Sequence, residues 1–317
     1  MSAWRSILAA AALLGASGAF AQDGKAWLEA QGLEAADTKE FQDYEAVVAR
    51  DKAGGEEHVV VFRQGKPVLQ IAPKDAQPGT RWTLRSIGRD LDGDGQPDLH
   101  LSAFAGKGNC CTTHYVYRLK PSPRRIAVYA AGAMGGGDFI DVAGRKEPIM
   151  ISADDSSANA FAPYANSYFP MVVLEVGHGR LELATDLMHS RLPGMPPPVC
   201  QLPVATANLW LKERCGEYTT LRRQERNAAV KSKLAAIKSN RSVEKLEWDD
   251  YFANGVLGAV SAEINRYTYT GHGNAGYNWL ETVWPGNDEV KLRFIQTLRR
   301  TQAKSAFAED LKRLATQ

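Results

Sequence analysis

The chain is poor in the residues that announce a chemistry. Among 317 residues there are only 6 histidines and 4 cysteines, and no G-x-S-x-G elbow presents a nucleophilic serine. Cys110, Cys111, Cys200 and Cys215 lack the C-x₂₋₄-C spacing and the histidine pair that a structural zinc site would need. A dominant sign of charge is missing too. With 38 Lys and Arg against 36 Asp and Glu, the formal charge is +2, which argues against a nucleic acid recognised mainly through its phosphates. Past the N-terminus no apolar run reaches the length of a bilayer span, so the chain is not expected to cross a membrane.

What is present begins with an export signal. Arg5 precedes a short apolar run, Ile7 to Leu14, and Ala19-Phe20-Ala21 stands before Gln22. Residues 1–21 therefore read as a secretory signal peptide with an A-x-A cleavage site, and the mature protein as periplasmic or secreted. No cysteine follows that site, which disfavours a bacterial lipid anchor. Cleavage removes Arg5 and no acid, lowering the formal charge from +2 to +1. In an oxidising compartment four cysteines favour disulfides. Cys200 and Cys215 suit a local pair. Cys110 and Cys111 are adjacent, so a strained vicinal bond, a distant partner or a free thiol all stay open, with three fully paired connectivities.

Two textures divide the mature chain and predict an α+β fold. From residue 22 to 192 short β-like segments alternate with Gly, Pro, Asp and Asn. Strands are expected over Tyr44–Arg50, His58–Arg63, Pro67–Ile71, Arg81–Ile87, Leu99–Phe104, Thr113–Leu119 and Arg125–Tyr129, with a short helix over Lys25–Ala30. No amphipathic helices intervene, so the sheets should be antiparallel. A Pro-rich linker, residues 193–200, leads into a helical module, 201–317. There, Leu202–Ile237 is predicted as one long helix with Leu234 and Ile237 on its apolar stripe, and Val243–Ile264 as a second, with Leu246, Tyr251 and Val256 as core. Tyr277–Val283 should form a third, stopped by Pro285. Asn287 or Asp288 can cap a fourth, whose Val290, Phe294 and Leu298 recur at i, i+4 and i+8. A terminal helix is expected to start near Ser305.

One stretch carries a specific chemistry. Asp90-Leu91-Asp92-Gly93-Asp94-Gly95-Gln96-Pro97-Asp98 sets carboxylates at positions 1, 3, 5 and 9 of a turn. Acids this close repel unless a cation neutralises them, and Ca²⁺ takes six to eight oxygen ligands. Asp90, Asp92 and Asp94 are the expected monodentate ligands, Gln96 contributes its carbonyl, and Asp98 binds directly or through water. Position 12 is Leu101 rather than a bidentate Glu, and a strand follows, so this is no EF-hand. A second copy lies 51 residues on: Asp141-Val142-Ala143-Gly144 through Pro148, then Ile149-Met150-Ile151-Ser152-Ala153 against Leu99-His100-Leu101-Ser102-Ala103. It has Ala143 and Arg145 where Asp92 and Asp94 stand. A period near 50 suits one propeller-like blade per repeat.

D-x-D-G-D-G-x-x-D running into an apolar strand resembles the calcium loop of FG-GAP (VCBS, integrin-α-like) repeats. The continuation to Gly108-Asn109-Cys110-Cys111, and the distal Tyr269-Thr270-Gly271 with Trp279-Leu280 and Val283-Trp284-Pro285, is similar to exported bacterial proteins carrying one such repeat. The motif match spans residues 84–119 and implies a fold element and a metal rather than a reaction.

The remaining motifs point less far. Gly271-His272-Gly273-Asn274-Ala275-Gly276 fits G-x-G-x-x-G but lacks the βαβ setting of a dinucleotide site, and reads as a helix–helix turn. Asp154-Asp155-Ser156-Ser157 with His178 or His189, and the pair Asp249 and Asp250, define no catalytic set. His58, His100, His114 and His272 stand isolated in the sequence. The expectation is an exported calcium-binding protein that serves as a non-catalytic binding or scaffold module, its partner an envelope protein or glycan. A hydrolase of glycan or peptidoglycan with a structural calcium is the alternative.

Overall fold

The computed structural model describes residues 23–72, 79–107, 110–238, 245–284 and 287–317. The expected signal peptide, Gly108-Asn109, Val243 and Pro285 lie outside them, as do the side chains of Cys110 and Leu234. The fold is α+β. Three four-stranded antiparallel sheets come first, ordered β1-β2-β3-β4, β5-β6-β7-β8 and β12-β11-β10-β9, and helices follow.

In the first sheet, β1 (Leu33–Phe41), β2 (Tyr44–Asp51), β3 (Glu57–Arg63) and β4 (Lys66–Ile71) run as a meander. Residues 23–30 form a helix, α1, ahead of it. The second sheet is built from β5 (Arg81–Arg89), β6 (Asp98–Lys107), β7 (Cys110–Arg118) and β8 (Arg124–Gly132). All seven expected strands are present. β1 is the addition, and its exposed run Glu34–Thr38 explains why alternation did not reveal it. It is an edge strand whose charges discourage pairing with another chain. Tyr44, Val48, Val59 and Val61 of the first sheet share one core cluster with Trp82, Leu84, Leu99 and Leu101 of the second.

A buried carboxylate fastens these two sheets together. Glu57 on β3 accepts from the Trp82 N–H at 2.8 Å, Arg81 Nη1 at 2.9 Å and Arg50 Nη2 at 3.1 Å. Tyr44 adds a second tie, donating to the Leu119 carbonyl at 3.1 Å.

By contacts the chain splits into two compact units: one runs to Gly135 and takes in Val176–Leu181, the other comprises Gly136–Glu175 and Glu182–Gln317. The change from strand to helix comes later, after β9 (Phe139–Ile140), β10 (Ile149–Ala153), β11 (Met171–Gly177) and β12 (Arg180–Leu183). The second unit therefore has strands of its own.

The helical part is more broken than periodicity suggested. Leu202–Ile237 is not one helix but α3 (Pro203–Ala207), α4 (Leu209–Gly216) and α5 (Thr220–Lys238), following the short α2 (Thr185–Met188). Asn208 caps α4 by accepting from the Leu211 N–H at 2.9 Å, a local bond that competes with continuous helix. Val243–Ile264 divides likewise into α6 (Trp248–Ala253) and α7 (Val256–Thr268), because Gly255 adopts φ +67°. α8 (Gly273–Val283), α9 (Asp288–Lys304) and α10 (Ala308–Leu314) complete the module. Asn287 is the cap of α9, accepting from the Glu289 and Val290 N–H groups. Leu246, Tyr251, Val256, Ile237, Val290, Phe294 and Leu298 join one buried cluster, as their spacing predicted. G-x-G-x-x-G is the turn from α7 into α8, with no strand on either side.

Cys200 and Cys215 are disulfide-bonded, with Cα atoms 5.4 Å apart. Cys111 is disulfide-bonded as well, and among the described residues no cysteine is free. Among the described residues no helix is long and apolar enough to cross a membrane.

Glu57 sets an acid-stability limit. Burial raises its pKa, but the Trp82 N–H, Arg81 and Arg50 outweigh burial and hold it below the ordinary carboxylate value. A depressed carboxyl contributes stability that is present above the unfolded pKa and lost as pH falls through the folded one. Glu57→Gln is therefore expected to cost about 1–3 kcal/mol at pH 7 and less below pH 4. Urea unfolding across that range checks this; a pH-independent difference would contradict it.

Candidate metal centre

The Asp90–Asp98 loop closes the β5–β6 hairpin, where Arg89 pairs with Asp98. Its hydrophobic residue fixes it from below: Leu91 is fully buried. The Leu91 N–H donates to Asp98 Oδ2 at 2.7 Å, and the Leu119 N–H to the Pro97 carbonyl at 3.0 Å. Above this base the turn curls on its own acids. Gly95 N–H donates to Asp90 Oδ2 at 2.8 Å, and Gln96 N–H to Asp94 Oδ1 at 2.8 Å. Gly93 and Gly95 take φ of +74° and +83°, which reverses the backbone around the carboxylates.

Three of the five expected ligands converge. Asp90, Asp92 and Asp98 each offer an oxygen, and these oxygens lie within 4.8 Å of one another; no other group of His, Cys, Asp or Glu among the described residues does so. Asp98 is fully buried, yet its Oδ1 has no hydrogen-bond partner, and Asp90 Oδ1 is buried and unpartnered as well. Burial pushes the Asp98 carboxyl up to about 7, with Asp92, Asp94 and Asp90 adding to the rise and the Leu91 N–H opposing it. Unpartnered carboxylate oxygens at this depth are costly without a cation or proton. Asp94 is not in the converging group, and Gln96 is placed in the loop through its N–H bond to Asp94.

Sequence reasoning missed Arg118. It ends β7 directly opposite Asp98 in the sheet register. Its Nη2 pairs with Asp92 Oδ2 and lies 2.8 Å from Asp94 Oδ2. Only strand register could have found it, since Arg118 lies 20 residues beyond Asp98.

The second copy of the motif folds the same way. Asp141–Pro148 closes the β9–β10 hairpin, where Ile140 pairs with Ile149 as Arg89 pairs with Asp98. Gly144 takes φ +83° where Gly93 takes +74°. The lost acid is replaced by its opposite: Arg145, standing where Asp94 does, pairs with Glu175 and Asp186.

The histidines are less isolated than their spacing implied. His100 and His114 are buried neighbours on β6 and β7, with Nε2 and Nδ1 2.9 Å apart. Burial, with His114 beside it, pushes His100 down to about 2, so that the ring stays neutral. His189 and His272 have ring centroids 5.2 Å apart, and His272 Nε2 contacts the Ser190 carbonyl at 2.8 Å. Two of the acids weighed for catalysis have structural partners: Asp154 is buried and accepts from Tyr269 Oη and Ser305 Oγ, and Asp250 completes a capping box on α6. In the second unit, a pocket of about 690 Å³ is lined by Arg226, Arg266 and Glu217 among others. Its arginines are already engaged, Arg266 with Glu217 at 2.8 Å and Arg226 with Glu263 at 2.7 Å.

Neither a protein-family model, nor a curated protein, nor a solved structure matches the chain.

A Cβ at position 95 would meet nothing within 4 Å, so only the backbone conformation demands glycine there. Gly95→Ala should cost about 1–2 kcal/mol in urea unfolding, and Gly95→Asn less, because Asn tolerates left-handed backbone. An alanine variant as stable as the parent would show that the turn is not held at that φ.

Proposed function

We propose that the protein is an exported calcium-binding module whose metal is structural, and that it serves the cell envelope by binding or scaffolding rather than by catalysis. The observation that carries this is the fully buried, unpartnered Oδ1 of Asp98 beside converging oxygens of Asp90 and Asp92. The donor set is all oxygen, which suits a hard cation. Bound there, Ca²⁺ would neutralise the acids and tie the turn to the first residue of β6. The chain's own residues do the rest. Leu91 and the Leu119–Pro97 bond anchor the loop, and the Gly95 and Gln96 N–H groups orient Asp90 and Asp94.

Export rests on the N-terminal segment Arg5, Ile7–Leu14 and Ala19-Phe20-Ala21, and the Cys200–Cys215 disulfide is compatible with it. In that setting calcium is abundant enough to fill weak sites and to stabilise the fold by mass action. The FG-GAP-like reading of the loop fits the same picture: one hairpin retains all four acids and its twin keeps only Asp141 of them.

The reading is tested by thermal unfolding with and without Ca²⁺ after chelation. At about 100 times the dissociation constant the gain should be about 2.7 kcal/mol, seen as a rise in melting temperature. Asp92→Ala with Asp94→Ala should abolish it. A melting temperature unchanged up to millimolar Ca²⁺ would overturn the calcium reading. Hydrolysis of purified peptidoglycan or glycan by the calcium-loaded protein would overturn the non-catalytic one.

A further inference from the structure

We infer that Arg118 is a resident counter-cation of the loop, so that calcium enters by exchange: Asp92 and Asp94 leave the guanidinium to bind the ion. This deepens the calcium reading and rests on it. One guanidinium nitrogen, Nη2, holds both carboxylates, Asp92 through a direct ion pair and Asp94 at 2.8 Å. Asp92 belongs to the converging oxygen group and Asp94 does not, although their spacing in the turn suits both as ligands. The ion pair is partly shielded, with 18% of the Arg118 side chain and 13% of the Asp92 side chain exposed, so solvent does not fully screen it. Arg118 is itself incompletely satisfied: its Nε is buried without a partner.

The twin hairpin gives the independent argument. In the first hairpin the fifth loop position, Asp94, is an acid and the residue opposite the ninth position is Arg118. In the second the fifth position is Arg145 and its partner is Glu175. Met150 pairs with Leu174, so Glu175 holds the place opposite Ile149 that Arg118 holds opposite Asp98. The two hairpins thus close on the same ion pair with its polarity reversed. Where the loop itself carries the arginine, only Asp141 is left of the four ligand-position acids and no divalent ion is needed. Where the strand carries it, four acids remain in the loop against one guanidinium, and a net negative charge is left for a divalent ion to neutralise. Arg118 then sets how tightly that ion is held, since each acid it keeps is one fewer charged ligand.

Calcium titration of the full mature chain by calorimetry tests this, using Arg118→Met, Arg118→Lys and, as a control for loss of a loop ion pair, Arg145→Met. Arg118→Met should tighten calcium binding roughly tenfold while lowering the melting temperature of the chelated protein. Arg118→Lys, which keeps the charge but not the fork, should fall between it and the parent. Arg145→Met should leave the calcium constant unchanged. Binding by the parent with equal or weaker affinity in Arg118→Met would overturn the exchange and leave the calcium site standing. If that variant does not fold, Arg118→Lys decides by the same criterion. No binding by the parent, even with tight binding by Arg118→Met, would overturn the calcium reading and the exchange with it, since calcium then never displaces the guanidinium. No binding by any of them would overturn both readings.

Discussion

Everything distinctive in the first unit turns on keeping four carboxylates together in one short turn. Asp98 is the extreme member, fully buried at the mouth of β6 with one oxygen bonded to the Leu91 N–H and the other unpartnered. Desolvation and mutual repulsion both oppose its charge. Three features offset that cost: the backbone N–H groups of Leu91, Gly95 and Gln96, the glycines that aim them, and the Arg118 guanidinium from the neighbouring strand. On our reading a divalent cation supplies the remainder. The hydrophobic base below, Leu91 with Leu99 and Leu101, makes the turn a rigid extension of the sheet rather than a free loop.

The same hairpin occurs twice, and comparing the copies separates what the fold needs from what a metal would need. Both keep the positive φ of the fourth loop residue, Gly93 or Gly144, and the pairing of the residues that flank the turn. Both keep an ion pair from the fifth loop position to the adjacent strand. Only the first keeps all four acids; the second retains Asp141 alone. The shared features are those a tight hairpin requires; the excess carboxylates are not, and they are the part that needs a cation.

Much of the architecture was legible because burial imprints a period on sequence. Val48, Val59 and Val61 on one face of the first sheet with Val47 and Val60 on the other, or Val290, Phe294 and Leu298 on one helix face, follow from the burial of those faces. β1 escaped because an edge strand has no buried face to imprint, and Leu33 is its one buried residue. Helix breaks escaped where one residue decides, as Gly255 and the Asn208 cap do. The acids of the site were legible as a local motif. Arg118 was not, because it reaches Asp92 and Asp94 only through the register of β6 against β7. The pairings of His100 with His114 and of His189 with His272 are tertiary in the same sense.

The most direct measurement is a crystal structure of the mature protein grown in calcium and again in chelator. The account requires an ion bound by carboxylate oxygens of Asp90, Asp92, Asp94 and Asp98 in the first crystal, with Arg118 drawn away from Asp92 and Asp94. In the second, Arg118 should pair with both Asp92 and Asp94. A loop identical in the two crystals, with Arg118 on both acids and no ion beside Asp98, would contradict it.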